Sequence, residues 1–250
     1  MNTLEALLLV LFVLMTAIGG QTGVRSFLSV VVNTMLIILV ALLISWGVNV
    51  PILALIFIPL KLLTIIYLGT HDQKVAHQSF QAALIVSVIV SSLIIGIQYL
   101  AQTSGFGDQA GEELVGLSLL AGISYPQIAS LVAIFSTLGA IAEASVAMSA
   151  GLIELAHHDQ QISFKSLLQA GKQMGTDVLG TAMNTILFGF FGSFLPLFIW
   201  YMRLNYSLGQ IVNDKLFVMN SLIIMYSLIG VLLAVPLTTL LLAKGMTKKE

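Results

Sequence analysis

Lys61, Glu143 and Asp177 are ionisable side chains set in stretches that are otherwise almost wholly apolar. A charged group at the middle of a membrane-crossing helix costs about 2.5–3.5 kcal/mol on insertion scales, so it is expected to face protein or water rather than lipid. A carboxylate withdrawn from water holds a proton or cation readily, which is the chemistry of coupled transport. Glu143 sits in the run from Ser136 to Gly151, which is dominated by Ala, Gly and Ser. At helical spacing Ser136, Gly139 or Ala140, Glu143, Ala147, Ala150 or Gly151, and Glu154 share one face. Small residues let backbones approach, so Glu143 is expected to point inward, into a groove that another helix enters.

Asp177, Thr181, Asn184 and Phe188 recur at intervals of four, three and four, which draws one face that stays polar for about two turns. Two readings stand side by side. In the plain one, Asp177 marks a helix start and favours its dipole, while Thr181 and Asn184 bond a neighbouring helix. In the sharper one, this stripe and Glu143 converge on a polar cavity, with Gly175 and Gly180 allowing close approach or a helix break near a substrate. Lys61 follows Pro59, which should loosen its helix. It either snorkels to a membrane face or pairs with Glu143 or Asp177. Ser87, Ser91 and Gln98 form a weaker polar edge of the kind that knits helices together.

The elements that must carry these groups are set by composition. Hydrophobic residues make up 58% of the 250 and charged ones 8%, with a mean hydropathy of +1.03, so a water-soluble fold would lack a polar surface. A span needs about 20 mainly apolar residues. The stretches 27–46, 82–101, 178–202 and 216–243 meet this without any charge. Three more do so with an allowance: 6–24 ends weakly at Gly19 and Gly20, 48–68 contains Lys61, and 127–153 contains Glu143. The expectation is one all-α membrane domain over residues 1–250, a bundle of about seven helices.

Basic residues collect on the cytoplasmic side of short loops. With the N-terminus outside, Arg25, Lys74, Lys165, Lys172, Lys244, Lys248 and Lys249 fall inside and only Arg203 and Lys215 outside, so the C-terminus is expected in the cytoplasm. The N-terminal stretch lacks the positive lead of a signal peptide and reads as the first span. The outer loop 102–126 carries Asp108, Glu112 and Glu113, and its part 114–123 is too short to cross.

Other chemistry finds little footing. No cysteine is present, which removes disulfides, thiolate nucleophiles and Cys-ligated metals. Scattered basic residues and a net charge of −1 do not make a nucleic-acid face. His71, His77, His157 and His158 are expected in two cytoplasmic loops, without the spacing of a known zinc site. A loose likeness between the segments starting at Gly20 and Gly171 would suit two parallel repeats around the fourth span; chance resemblance of apolar helices explains it as well.

The run from Gly139 to Gly151, the spacing of Gly171, Gly175, Asp177, Gly180, Thr181, Asn184 and Thr185, and the stretch from Phe191 to Leu197 resemble the YibE/F family of bacterial multi-pass membrane proteins, most strongly over the C-terminal half. Glu143 stands where the family pattern usually has aspartate, and Thr176 where it has arginine before Asp177. Lys61 or Lys172 is the candidate substitute for that arginine. The short chain is similar to the F-type member, which implies a companion YibE-like membrane protein.

The resulting expectation is a bacterial plasma-membrane transporter or permease of a small solute or ion, using Glu143 and Asp177 with Thr181, Asn184 and Lys61, without cofactor or metal. The alternative is a non-catalytic subunit whose carboxylates assemble it with a companion or with further copies of itself. An enzyme is not expected, because the chain has no His-Glu-x-x-His zinc motif, no Gly-x-Ser-x-Gly elbow and no pair of in-membrane aspartates.

Overall fold

The computed structural model describes residues 2–101, 124–159 and 162–247. The helices are α1 (Thr3–Ser45), α2 (Val50–Gly69), α3 (Gln73–Ala101), α4 (Tyr125–His158), α5 (Phe164–Arg203), the short α6 (Leu208–Asn213) and α7 (Lys215–Thr247). There is no strand among the described residues. All but α6 are long and apolar enough to cross a membrane. The expected interfacial stretch 114–123 lies outside the described residues.

Helix α1 is not one rod. Gly20 takes φ 54° and ψ −130°, a conformation open to glycine and strained for other residues. The Phe12 and Phe27 rings lie 5.0 Å apart, whereas a straight helix would separate residues fifteen apart by ~22 Å. The chain therefore doubles back at Gly20. Gly23 is pressed so closely on the Met15 carbonyl that a Cβ there would overlap it. The two arms carry the first two expected spans, with the reversal at Gly20.

Hydropathy locates the embedded part of each helix, and the polar ends continue helical until a cap stops them. Thus α3 begins at Gln73 and α5 at Phe164, well before their apolar windows. The Ser163 hydroxyl caps α5 by accepting from the Ser166 N–H at 3.2 Å. Asp214 starts α7, its carboxylate accepting from Leu216 and Phe217 N–H at 3.0 and 3.1 Å. One consequence corrects the sequence reading: His77 lies on α3, and His157 and His158 on the last turn of α4, while His71 remains in a loop. Pro59, Pro196 and Pro236 lie inside helices, which packed membrane helices tolerate.

Helix α4 is the hub. It packs on α2, α3, α5 and α7; α7 also meets α3 and α5, and α1 packs on α2. The main core joins Leu62 and Ile66 of α2, Val86, Val90 and Ile94 of α3, Leu138 and Ile141 of α4, and Tyr226 of α7. Lipid removes the hydrophobic drive between helices, so close fit must hold them. Glycines supply it: a Cβ on Gly230 would stand 2.7 Å from Ile141 Cγ1, and one on Gly171 would run into Thr239. At the opposite end of α5, Phe190, Phe194 and Phe198 gather around Phe217, with ring centroids 5.9–6.3 Å from it.

Candidate functional site

Three quarters of the circumference of α4 is used by neighbours, and one stripe is not. Leu131 and Phe135 face α2, Ile141 meets Gly230 of α7, and Gly151 touches the Met174 side chain of α5. Between the α2 contacts and the α5 contacts, Ser136, Gly139, Glu143, Ala147, Ala150 and Glu154 are all exposed. They are the residues that helical spacing placed on one face. The orientation differs from the expectation: Glu143 points away from the bundle core. The reason is that α2 and α5 pack on either side of the stripe without packing closely on each other, so among the described residues no helix covers it. A Cβ added to Gly139 would have no neighbour within 4 Å.

The Asp177 stripe adjoins it. Met174, Asp177, Thr181, Asn184 and Phe188 follow at helical spacing, so the stripe starts from the residue that touches Gly151. Asp177, Thr181, Asn184 and Phe188 are exposed. Thr181 Oγ1 donates to the Asp177 and Val178 carbonyls at 3.0 and 3.1 Å, and Thr185 Oγ1 to the Thr181 carbonyl at 3.0 Å. The hydroxyls are thus satisfied within the helix, leaving the Asp177 carboxylate and the Asn184 amide as the groups presented outward. The glycines here do not break α5, which runs through both. Gly175 is packed against Val235 of α7, whereas Gly180 is open. This also separates the two segments of the suspected repeat, since Gly20 reverses the chain and Gly171 and Gly175 admit a neighbouring helix.

Together the two stripes make one open polar face over α4 and α5, with Glu143 near the middle of α4 and Asp177, Thr181 and Asn184 beside it. The space directly between these helices is filled: Met174 occupies the Gly151 position, and Met148 Cε comes to 4.0 Å of a Cβ built on Gly175. What the face can do is accept hydrogen bonds or a cation from something lying against it.

Lys61 is placed differently. Only 4% of it is exposed. Its ammonium lies 5.2 Å from the centroid of the Phe135 ring, a cation–π contact, and no carboxylate among the described residues comes within 4.0 Å of it. The expected pairing with Glu143 or Asp177 is therefore not made. One turn on, Thr64 Oγ1 donates to Asn33 Oδ1 at 3.1 Å and Ser29 Oγ donates to the Thr64 carbonyl at 3.0 Å. This polar knot pins the second arm of α1 to α2, and the spacing of Ser29 and Asn33 on α1 was its only sequence signal. Of the weaker polar edge, Ser87 and Gln98 are buried and Ser91 is half-buried. Among the described residues no three His, Asp or Glu side chains gather to hold a metal ion.

The spacing of small residues around Glu143, the glycines packed on α7 and the six apolar helices agree with the family comparison. No curated protein and no solved structure matches the chain. The YibE/F-like protein family matches residues 7–248, nearly its whole length, and the chain belongs to that family of helical membrane proteins.

Proposed function

We propose that this chain is a bacterial plasma-membrane subunit that works in assembly with a further membrane chain laid on the open face of α4 and α5. The observation that carries this is the outward direction of Glu143 near the middle of the hub helix α4. A carboxylate at that depth is costly against lipid. A flat row of small residues beside it is the surface on which another helix packs closely. The Asp177 carboxylate and Asn184 amide extend the same face, so the covering helix meets polar groups over several turns. The N-terminus lies outside and the C-terminus in the cytoplasm, following the side on which the basic residues collect.

The second reading places transport at the joint. A small polar solute or cation would be held between Glu143 and Asp177 on this chain and the covering helix, and the exposed, hydrogen-bond-ready Asn184 favours it. The carboxylates do not enclose a site within this chain alone, since Met174 and Met148 fill the space between α4 and α5.

Reconstitution tests both. The chain is placed in liposomes alone and with its companion, and association and proton or cation flux under an imposed potential are followed. Association that is lost in Glu143→Leu, with the melting midpoint kept, supports the subunit reading. Flux that appears only in the assembled pair and falls in Glu143→Gln supports transport at the joint. Association unchanged in Glu143→Leu contradicts both.

A further inference from the structure

A separate concavity lies where the start of α3 and the ends of α4 and α7 meet. It is a cleft of about 410 Å3. Its polar lining is Lys74, Gln73, His77 and Gln78 from the first turns of α3 and His157 from the last turn of α4, and Ile153, Leu242 and Met246 supply apolar surface. No carboxylate is among its lining residues.

Asp72 Oδ1 accepts the Lys74 N–H at 2.7 Å, and Glu154 pairs with His158 at 3.3 Å. His77 also borders the cleft, but its ring is held by the Gln81 amide at 3.0 Å and the Tyr67 hydroxyl at 3.5 Å. Among the described residues the Lys74 ammonium and the His157 imidazole carry no hydrogen bond or ion pair. A divalent metal is disfavoured by the ammonium and by the lack of a third ligand, because no cluster of three ligating side chains exists among the described residues. A lining that combines free donors with a larger apolar surface fits an anion with an apolar body. The basic residues Lys74, Lys172 and Lys244 mark this as the end of the bundle where anionic headgroups concentrate.

We propose that this cleft binds a phosphoryl-bearing anion, its oxygens bonded to Lys74 and His157 and its apolar body lying on Leu242 and Met246. A phospholipid headgroup and a soluble phosphate ester share this chemistry. The test is native mass spectrometry of the full chain given equal phosphatidylglycerol and phosphatidylcholine, followed by titration with glycerol phosphate. The wild type is expected to retain phosphatidylglycerol by roughly fivefold, the factor corresponding to about 1 kcal/mol for a basic residue at a membrane surface. Lys74→Gln and His157→Gln should each remove most of that preference. Lys172→Gln should not, because Lys172 borders a separate cleft between α5 and α7. All three residues are exposed, and equal melting midpoints would confirm that the variants fold. Displacement of the lipid by glycerol phosphate identifies the phosphoryl group as sufficient, and failure to displace it identifies the lipid. A wild type that retains both lipids equally and takes up no glycerol phosphate, or a preference that survives Lys74→Gln, would overturn the proposal.

Discussion

On the side of α4 that meets α3 and α7, Leu138, Ile141, Met148 and Leu152 are each 0% exposed. About half a turn away, Gly139, Glu143, Ala147 and Ala150 lie open along the same helix. Small residues occur on both sides, with Ala142, Ala144, Ser145 and Ser149 among the buried ones, and such residues let backbones come close. The two sides differ in who comes close. Gly230 of α7 has already used the inner face, whereas nothing among the described residues lies within 4 Å of a Cβ at Gly139 on the outer one. A packed face with a partner contributes to the fold of the chain; an open face of small residues carrying a carboxylate serves, on the proposed function, what the chain does with others.

Substitutions sharpen that contrast. The largest effect is expected at Gly230→Leu, where the added side chain meets Ile141 of the packed face. Overpacking of this kind costs about 1–3 kcal/mol, read as a lowered melting midpoint in detergent. Gly139→Leu, on the open face, should leave that midpoint within about 0.5 kcal/mol of wild type while blocking association. If both variants melt alike, the distinction between the faces fails.

Lys61→Met comes next. It removes a buried cation that has no carboxylate partner among the described residues and keeps most of the side-chain volume, so stability should rise by about 1–2 kcal/mol. A clear loss instead would reveal a counter-charge for Lys61. Gly20→Ala should cost about 1–2 kcal/mol, because the reversal in α1 needs a positive φ. Limited proteolysis and the melting curve would both register the loosened arm. The smallest effect is Glu143→Gln, which keeps an acceptor and removes the charge. With interhelical hydrogen bonds averaging about 0.6 kcal/mol, association should weaken by only a few-fold, far less than in Glu143→Leu.

The sequence made the helices legible because apolar length is a physical requirement of the bilayer, and it made the family legible through the glycines and carboxylates of α4 and α5. Helix ends were less legible, since polar residues such as Gln73 and Lys165 extend a helix beyond the apolar window. The direction of Glu143 was not legible. Spacing places Gly139, Glu143 and Ala147 on one face, but whether α2 and α5 close over that face depends on how they pack. Nor could spacing bring Lys74 and His157 to one cleft, because they belong to helices distant in sequence whose ends meet only in the folded bundle. Lys61 shows the same limit: its depth could be read, but its seat over Phe135 depends on the way α2 lies along α4.

The absence of cysteine from the chain permits the most direct test of the covering of Glu143. Single cysteines are introduced by Ala147→Cys, on the open face, and by Val88→Cys, at an exposed apolar position on α3. Each is treated in native membranes with a short thiol-directed crosslinker. The account predicts a discrete protein adduct at residue 147 that disappears when Glu143→Leu is added, and no adduct at residue 88. Equal behaviour of the two positions, with both reached freely by a lipid-soluble thiol reagent, would show that lipid covers the face and would contradict the account.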